Sequence, residues 1–218
     1  MWTLVKNELV GCTLLELTGV DGLASGISID FHPTDKKLYL CGTEEGQLYK
    51  CSTTYSSKYL NVTKAHDGAI MAIKWNKFHP DVYATSGQDW ALKIWSQHRP
   101  EIPLFNFDLG ASVNDLDWSP YSSTVICGVT EGDNSRAFLY DLNINKYEPL
   151  CDQGVSLKKK TRLTQVKFNP QHKILMVGND RGTVSAFKLS PNLRKVPVKS
   201  KKDPTPLPRK LTLSHGRP

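Results

Sequence analysis

Val82-Tyr83-Ala84-Thr85-Ser86-Gly87, then Gln88-Asp89-Trp90, then Ala91-Leu92-Lys93-Ile94-Trp95-Ser96 is the stretch that decides the fold. It reads as an apolar, β-rich run ending in Gly, a short turn, and an alternating strand. Upstream, Met71-Ala72-Ile73-Lys74-Trp75 is a further strand, closed off by Pro80, which cannot donate to a ladder. The same landmarks recur along the chain. Ile27 to Phe31 leads to Pro33, Val113 to Trp118 to Pro120, and Leu163 to Phe168 to Pro170. The closing aromatics Phe31, Trp75, Trp118 and Phe168 stand 44, 43 and 50 residues apart. Runs ending in Gly follow at Leu38 to Gly42, Val82 to Gly87, Val125 to Gly128 and Ile174 to Gly178. Alternating strands come next, at Gln47 to Ser52, Ala91 to Ser96, Arg136 to Leu142 and Thr183 to Leu189. Fourth strands are expected at Tyr59 to Lys64, Leu104 to Leu109 and Tyr147 to Cys151. Landmarks that keep one order four times over constitute a repeat.

A period of about 40–45 residues with up to four short strands per unit is the arithmetic of a β-propeller blade. Helical repeats of that length would need a 3.6-residue period sustained over about ten residues, and none is present. The sequence therefore predicts an all-β fold, with residues 24–190 forming about four blades of four-stranded antiparallel sheet. Trp2 stands 49 residues before Cys51, and Trp95, Tyr140 and Phe187 continue that series by 44, 45 and 47. Residues 1–23 thus read as the remnant of a preceding blade and its connector.

Composition narrows the class. The 218 residues are 39% apolar and 22% charged, enough for a sizeable core. No apolar run approaches the ~20 residues that span a bilayer. The opening Met1-Trp2-Thr3-Leu4-Val5-Lys6 lacks the features of a secretory leader, which points to a cytoplasmic compartment. Cys12, Cys41, Cys51, Cys127 and Cys151 are odd in number and contain no CxxC pair, so neither a disulfide frame nor a zinc site is expected. The net charge of +7 sits wholly in residues 191–218, where eight basic residues face Asp203 alone among six prolines. That stretch cannot bury enough apolar area to offset its chain entropy, and disorder is expected after about residue 192. No aromatic is interleaved with its basic residues to stack on bases, so nucleic acid is not an expected partner.

At Ala65-His66-Asp67-Gly68 and Ser86 to Ser96 the chain resembles the WD-repeat family. In that family a His before the first strand, a Ser or Thr on the second, an Asp in the next turn and a Trp on the third share a buried hydrogen-bond network. The matching residues are His66, Ser86 (or Thr85), Asp89 and Trp95. In the other repeats Cys51, Tyr140 and Phe187 replace the Trp, while Glu45, Asn134 and Arg181 stand near the Asp position. Family rings commonly close with seven blades, which at this period takes about 280–300 residues. The chain therefore reads as part of a propeller, either the C-terminal portion of a longer ring or a short form of it. A closed four-bladed ring, with residues 9–17 completing the last blade, is the second reading.

Further wording resembles the dynein intermediate chains. Asp89-Trp90-Ala91-Leu92-Lys93-Ile94-Trp95 is similar to their DWTVKIW motif, with Ala91 in place of Thr and Leu92 in place of Val. "LYLCGTEEGQLYKCSTTYSS" (38–57), "WSPYSST" (118–124), "LNINKYEPLC" (142–151) and "LSPNLRK" (189–195) resemble the axonemal outer-arm group with the long N-terminal extension. The likeness covers residues 2 to 195. It implies a non-catalytic subunit of a ciliary or flagellar motor. Its propeller would dock on the tail of a dynein heavy chain, beside the other outer-arm intermediate chain. Light chains are recruited N-terminal to the propeller in that family, so the likeness does not extend to light-chain binding. The rival reading is a generic WD adaptor, such as a substrate receptor of a ubiquitin ligase.

Candidate sites are weighed against plainer roles. Ser86, His66 and Asp89 look like a hydrolase trio, but no G-x-S-x-G elbow accompanies them, and no enzyme activity is expected. Asp115 and Asp117 lie two apart on a strand and read as a solvent- or turn-facing pair. His32 and His79 hold equivalent positions near Pro and read as packing residues. No metal, cofactor or catalytic residue is assigned. Trp90, a bulky aromatic in a turn, is the residue expected to meet a partner. The basic run Lys158-Lys159-Lys160 is a second candidate contact, for an acidic surface.

Overall fold

The computed structural model of this chain describes residues 2–5, 8–11, 24–132, 135–155 and 161–191. A hairpin comes first, with β1 (Trp2–Val5) antiparallel to β2 (Glu8–Gly11). The first full sheet runs β3 (Gly26–Phe31), β4 (Leu38–Thr43), β5 (Gln47–Ser52) and β6 (Tyr55–Lys64) in chain order. The second holds β7 (Ile70–Trp75), β8 (Val82–Gly87), β9 (Ala91–Ser96) and β10 (Phe105–Asp108). The third holds β11 (Val113–Trp118), β12 (Val125–Thr130), β13 (Arg136–Asp141) and β14 (Cys151–Gly154). The fourth holds β15 (Leu163–Phe168), β16 (Ile174–Asn179) and β17 (Val184–Lys188). Four antiparallel meanders in series are the blades that the repeat predicts.

Two details differ from the sequence reading. The outer strand of the third sheet is Cys151–Gly154, not Tyr147 to Cys151. The fourth sheet has three strands among the described residues, not four. β2 pairs with β1, while residues 12–17, on which the closed four-bladed reading largely rests, lie outside the described residues. The basic tail after residue 191 and the run Lys158-Lys159-Lys160 lie outside the described residues.

Each sheet carries an irregularity at the same place. The register between first and second strands shifts at Gly26/Ser28, Ile70/Ala72, Val113/Asp115 and Leu163/Gln165. A bulge of this kind adds local twist to the inner strand and re-aims its side chains.

The core lies between sheets. Leu40 and Leu48 pack on Ile70, Ile73, Trp75, Tyr83 and Trp95 across the first junction. Ala84, Leu92 and Ile94 meet Leu116, Trp118 and Tyr140 across the second. Cys127 and Leu139 meet Val166, Phe168 and Leu175 across the third. Burying each such aliphatic or aromatic side chain contributes about 1.5–3 kcal/mol, so stability resides in blade-on-blade contact. Gly42 marks how close that contact is: a Cβ there would stand 2.7 Å from the Ile70 side chain of the next sheet.

Polar clamps set the junctions' alignment. Asp30 Oδ2 accepts the Trp75 amide at 2.7 Å from the first sheet to the second. Asp115 Oδ2 accepts the Val166 amide and Asp117 Oδ2 the Phe168 amide, each at 2.9 Å, from the third sheet to the fourth. Both aspartates are buried, which corrects the solvent-facing reading. At the middle junction, where Lys74 holds the place of Asp30, the Trp118 indole donates to the Lys74 carbonyl at 3.0 Å instead.

Candidate functional site

The second sheet carries one polar network at its buried centre. His66 sits in the loop before β7, Thr85 on β8, Asp89 in the β8–β9 turn and Trp95 on β9. His66 Nδ1 lies 2.7 Å from Asp89 Oδ1, and His66 Nε2 lies 2.7 Å from Thr85 Oγ1. Trp95 Nε1 donates to the same Thr85 hydroxyl at 2.8 Å. One proton arrangement satisfies all of these. The indole N–H donates to Thr85, the Thr85 O–H donates to Nε2, and Nδ1–H donates to the carboxylate. Asp89 Oδ2 also accepts the Asp67 amide at 3.2 Å and sits 3.4 Å from the Lys93 ammonium.

Of the two hydroxyls the sequence reading offers, Ser86 first and Thr85 as its alternative, Thr85 therefore takes the network position. Ser86 Oγ is buried without a hydrogen-bond partner. Neighbours on a strand face opposite ways, so a shift of one residue exchanges the buried network for the other face. The hydrolase trio falls with it, since Ser86 makes no hydrogen bond to His66 and the imidazole Nε2 is already engaged. Gly87 is required beside the network, because a Cβ there would stand 2.4 Å from His66 Nδ1.

Burial disfavours the charged imidazole and lowers His66 from its ordinary 6.5, against the pull of Asp89. Burial alone would raise Asp89, but the His66 ring, the Asp67 amide and Lys93 outweigh it and hold the carboxyl well below its usual range. A second proton on His66 would place N–H against the Thr85 hydroxyl it now accepts from. The folded state therefore takes up that proton less readily than the unfolded chain. This contribution is complete above about pH 6.5 and is lost as pH falls below it. Asp30 and Asp115 are both raised by burial and act in the opposite sense. The expected result is a declining unfolding midpoint between pH 7 and pH 5.5, flattened in His66→Gln. A midpoint that is level across that range in the parent chain would refute the neutral imidazole.

Trp90 closes the same turn. Its φ is +68°, the only non-glycine residue in the left-handed region among those described. The equivalent turns of the first and last sheets place Gly46 at +80° and Gly182 at +75° there. A side chain in that conformation costs roughly 1–2 kcal/mol. The indole does not recover this by burial, being 54% exposed. Its carbonyl accepts the Leu109 amide at 2.9 Å, a bond that glycine would make equally well. The sequence shows an aromatic in a turn; the strained backbone beneath it is visible only in the structure.

The remaining candidates have structural surroundings. His32 is buried edge-on to Trp75 at 4.6 Å, and its Nδ1 accepts the Thr34 and Asp35 amides. In the second sheet Asn76, not His79, takes the place of His32, its Oδ1 accepting the Phe78 and His79 amides, and His79 is half-buried in that turn. Burial pushes the Cys51 thiol up to about 11 and raises Cys41 and Cys127, so these sulfurs belong to the packing. Among the described residues no group of His, Cys, Asp and Glu is arranged to hold a metal ion. A groove of about 610 Å³ beside β17 is lined by Leu139, Leu150, Leu175, Phe187 and Leu189, with Cys127, Cys151 and Lys188 as its titratable groups.

Comparison with known proteins fits this geometry. The profile described as WD domain, G-beta repeat matches residues 57–96, the span that holds the network. A chain of a mitotic checkpoint complex crystal structure superposes with a TM-score of 0.63 over 78% of this chain and 49% of its own, at 14% identity, which speaks to fold alone. Dynein intermediate chain 2, ciliary, from Heliocidaris crassispina is 47% identical over 92% of this chain. Dynein axonemal intermediate chain 1 from Bos taurus is 46% identical over the same share. The 78 kDa intermediate chain of the flagellar outer arm dynein of Chlamydomonas reinhardtii is 39% identical over 89%. The chain spans 30% of the length of each of these relatives. Over nearly all of its length the chain is thus homologous to the axonemal dynein intermediate chains, and it carries a WD repeat at residues 57–96.

Proposed function

We propose that this chain is a non-catalytic intermediate-chain subunit of axonemal outer-arm dynein, whose blades dock on the tail of a heavy chain. The observation that carries this reading is the 47% identity to a ciliary dynein intermediate chain across 92% of the chain. The site geometry supports it from the other side. His66, Asp89, Asp115 and Asp117, the residues that could suggest chemistry, are engaged in holding the second sheet together or in clamping one sheet to the next. A scaffold that contributes shape needs no more. The proposed locations are the cilium or flagellum axoneme and the cytoplasm, and the other outer-arm intermediate chain is a second partner. Trp90 is the proposed contact residue, a reading its exposed indole supports, and Lys158, Lys159 and Lys160 are further candidates, for an acidic surface. Light-chain recruitment is not assigned to this stretch.

The test is capture of recombinant heavy-chain tail by the full 218-residue chain, with bovine serum albumin as the control bait. Retention of the tail at micromolar concentration is the expected result. Failure to retain it, together with co-purification of ubiquitin-ligase components from cells without cilia, would replace this reading with a generic adaptor.

A further inference from the structure

Four loops meet at one end of the first two sheets, and hydrogen bonds hold them as a single surface. Gly46 O accepts the Ala65 and His66 amides at 3.0 and 3.2 Å, which joins the β4–β5 turn to the loop before β7. The Asp67 amide and Asp89 Oδ2 join that loop to the Trp90 turn. Leu109 N and Trp90 O join the turn to the loop before β11. The exposed charges on these loops are mostly acidic, with Lys64 the exposed cation beside them. Glu44 and Glu45 are exposed in the β4–β5 turn, Asp67 in the loop before β7 and Asp108 at the end of β10, and Trp90 is 54% exposed in its own turn. The cations nearby are already engaged: Lys93 Nζ lies 2.7 Å from the Ala65 carbonyl and reaches Asp89, and Lys64 Nζ donates to the Glu45 carbonyl at 2.7 Å.

We propose that this end of the sheets is a docking surface for a cationic segment of a partner protein, with an arginine or lysine laid over the Trp90 indole and the surrounding carboxylates neutralising its neighbours. This rests on the docking reading above and adds the chemistry of what docks. Two independent features point to it. An indole face attracts a guanidinium or ammonium group, and more strongly where a partner excludes water. Trp90 also holds a left-handed turn position that its sister turns give to glycine, so the aromatic is kept there at a cost in stability and without burial. Strain of that kind, unused by the fold, marks a functional position. The carboxylates steer a basic segment toward the site and make the association salt-dependent.

The experiment uses the full chain with a ten-residue peptide of alternating arginine and glycine, and alternating glutamate and glycine as control. The arginine peptide is expected to bind and the glutamate peptide not, with affinity falling at least tenfold between 50 and 200 mM salt. Trp90→Gly is expected to weaken binding at least tenfold while its thermal midpoint stays level or rises, because glycine relieves the turn. Equal binding of both peptides, or an undiminished affinity in Trp90→Gly, overturns the proposal. The chain's own basic tail is a rival source of the same chemistry. Tighter peptide binding by the full chain carrying Lys199→Gln, Lys201→Gln and Lys202→Gln would overturn the partner in favour of the tail. Heavy-chain capture separates the two levels. If the parent chain fails to retain the heavy-chain tail, the docking reading falls; if it and Trp90→Gly retain that tail equally, only this surface is wrong.

Discussion

Replacing Trp95 by alanine is expected to destabilise the chain by about 3–5 kcal/mol, measured as a shift in the urea midpoint at constant slope. Trp95 is 2% exposed and stacks on Tyr83 with ring centroids 6.4 Å apart. It belongs to the cluster in which Leu40 and Leu48 of the first sheet meet Ile73 and Trp75 of the second. Alanine would leave a cavity at that junction and would strip Thr85 of its indole donor. Trp95→Phe separates the two effects. It keeps most of the volume and loses the hydrogen bond, so a cost of about 1–2 kcal/mol is expected. Loosening of the first sheet against the second should follow the alanine change, read as faster amide exchange in β4 and β5. A Trp95→Ala midpoint within error of the parent would mean that the first junction does not carry the stability assigned to it.

Gly46→Ala is the second large effect. The φ of +80° is one penalty, and the missing space is the other: a Cβ would stand 2.1 Å from the His66 carbonyl oxygen and 2.7 Å from that of Gly68. Both obstacles are backbone, which cannot rotate away, and the turn would have to give up its bonds to Ala65 and His66. A loss of about 3 kcal/mol or more is expected, together with disturbance of the His66 network beneath it. Gly182→Ala is the matched control. Its φ of +75° imposes the same conformational penalty, but nothing lies within 4 Å of the added carbon. About 1 kcal/mol is expected there. Similar losses at the two positions would show that strain alone, and not the packing of the loop on the turn, governs Gly46.

Much of the architecture was legible because it rests on local chemistry. The strands Gln47–Ser52, Val82–Gly87 and Ala91–Ser96 fall where alternation and Gly-bearing turns place them. The outer strands were harder. Such a strand has one neighbour and an exposed face, as in Cys151–Gly154, where all four residues are exposed. Its hydrophobic pattern is weak, and its position is set by register with Leu139 and Ala137 of β13. The acid pair on β11 misled for a related reason. A carboxylate on a strand ordinarily faces water, but Asp115 and Asp117 meet amides 51 residues further along the chain. No spacing in the sequence announces that meeting.

The chain by itself settles the repeat, the all-β class and the kinship, because each follows from residue order at a fixed period and from local turn and strand preferences. Which of Thr85 and Ser86 joins His66 was decided by the tertiary structure, since that choice depends on which face of β8 turns inward. The same holds for the aspartate clamps and for the strain under Trp90. These depend on distances between segments brought together only when one sheet packs on the next, and on a backbone angle that residue identity alone does not dictate.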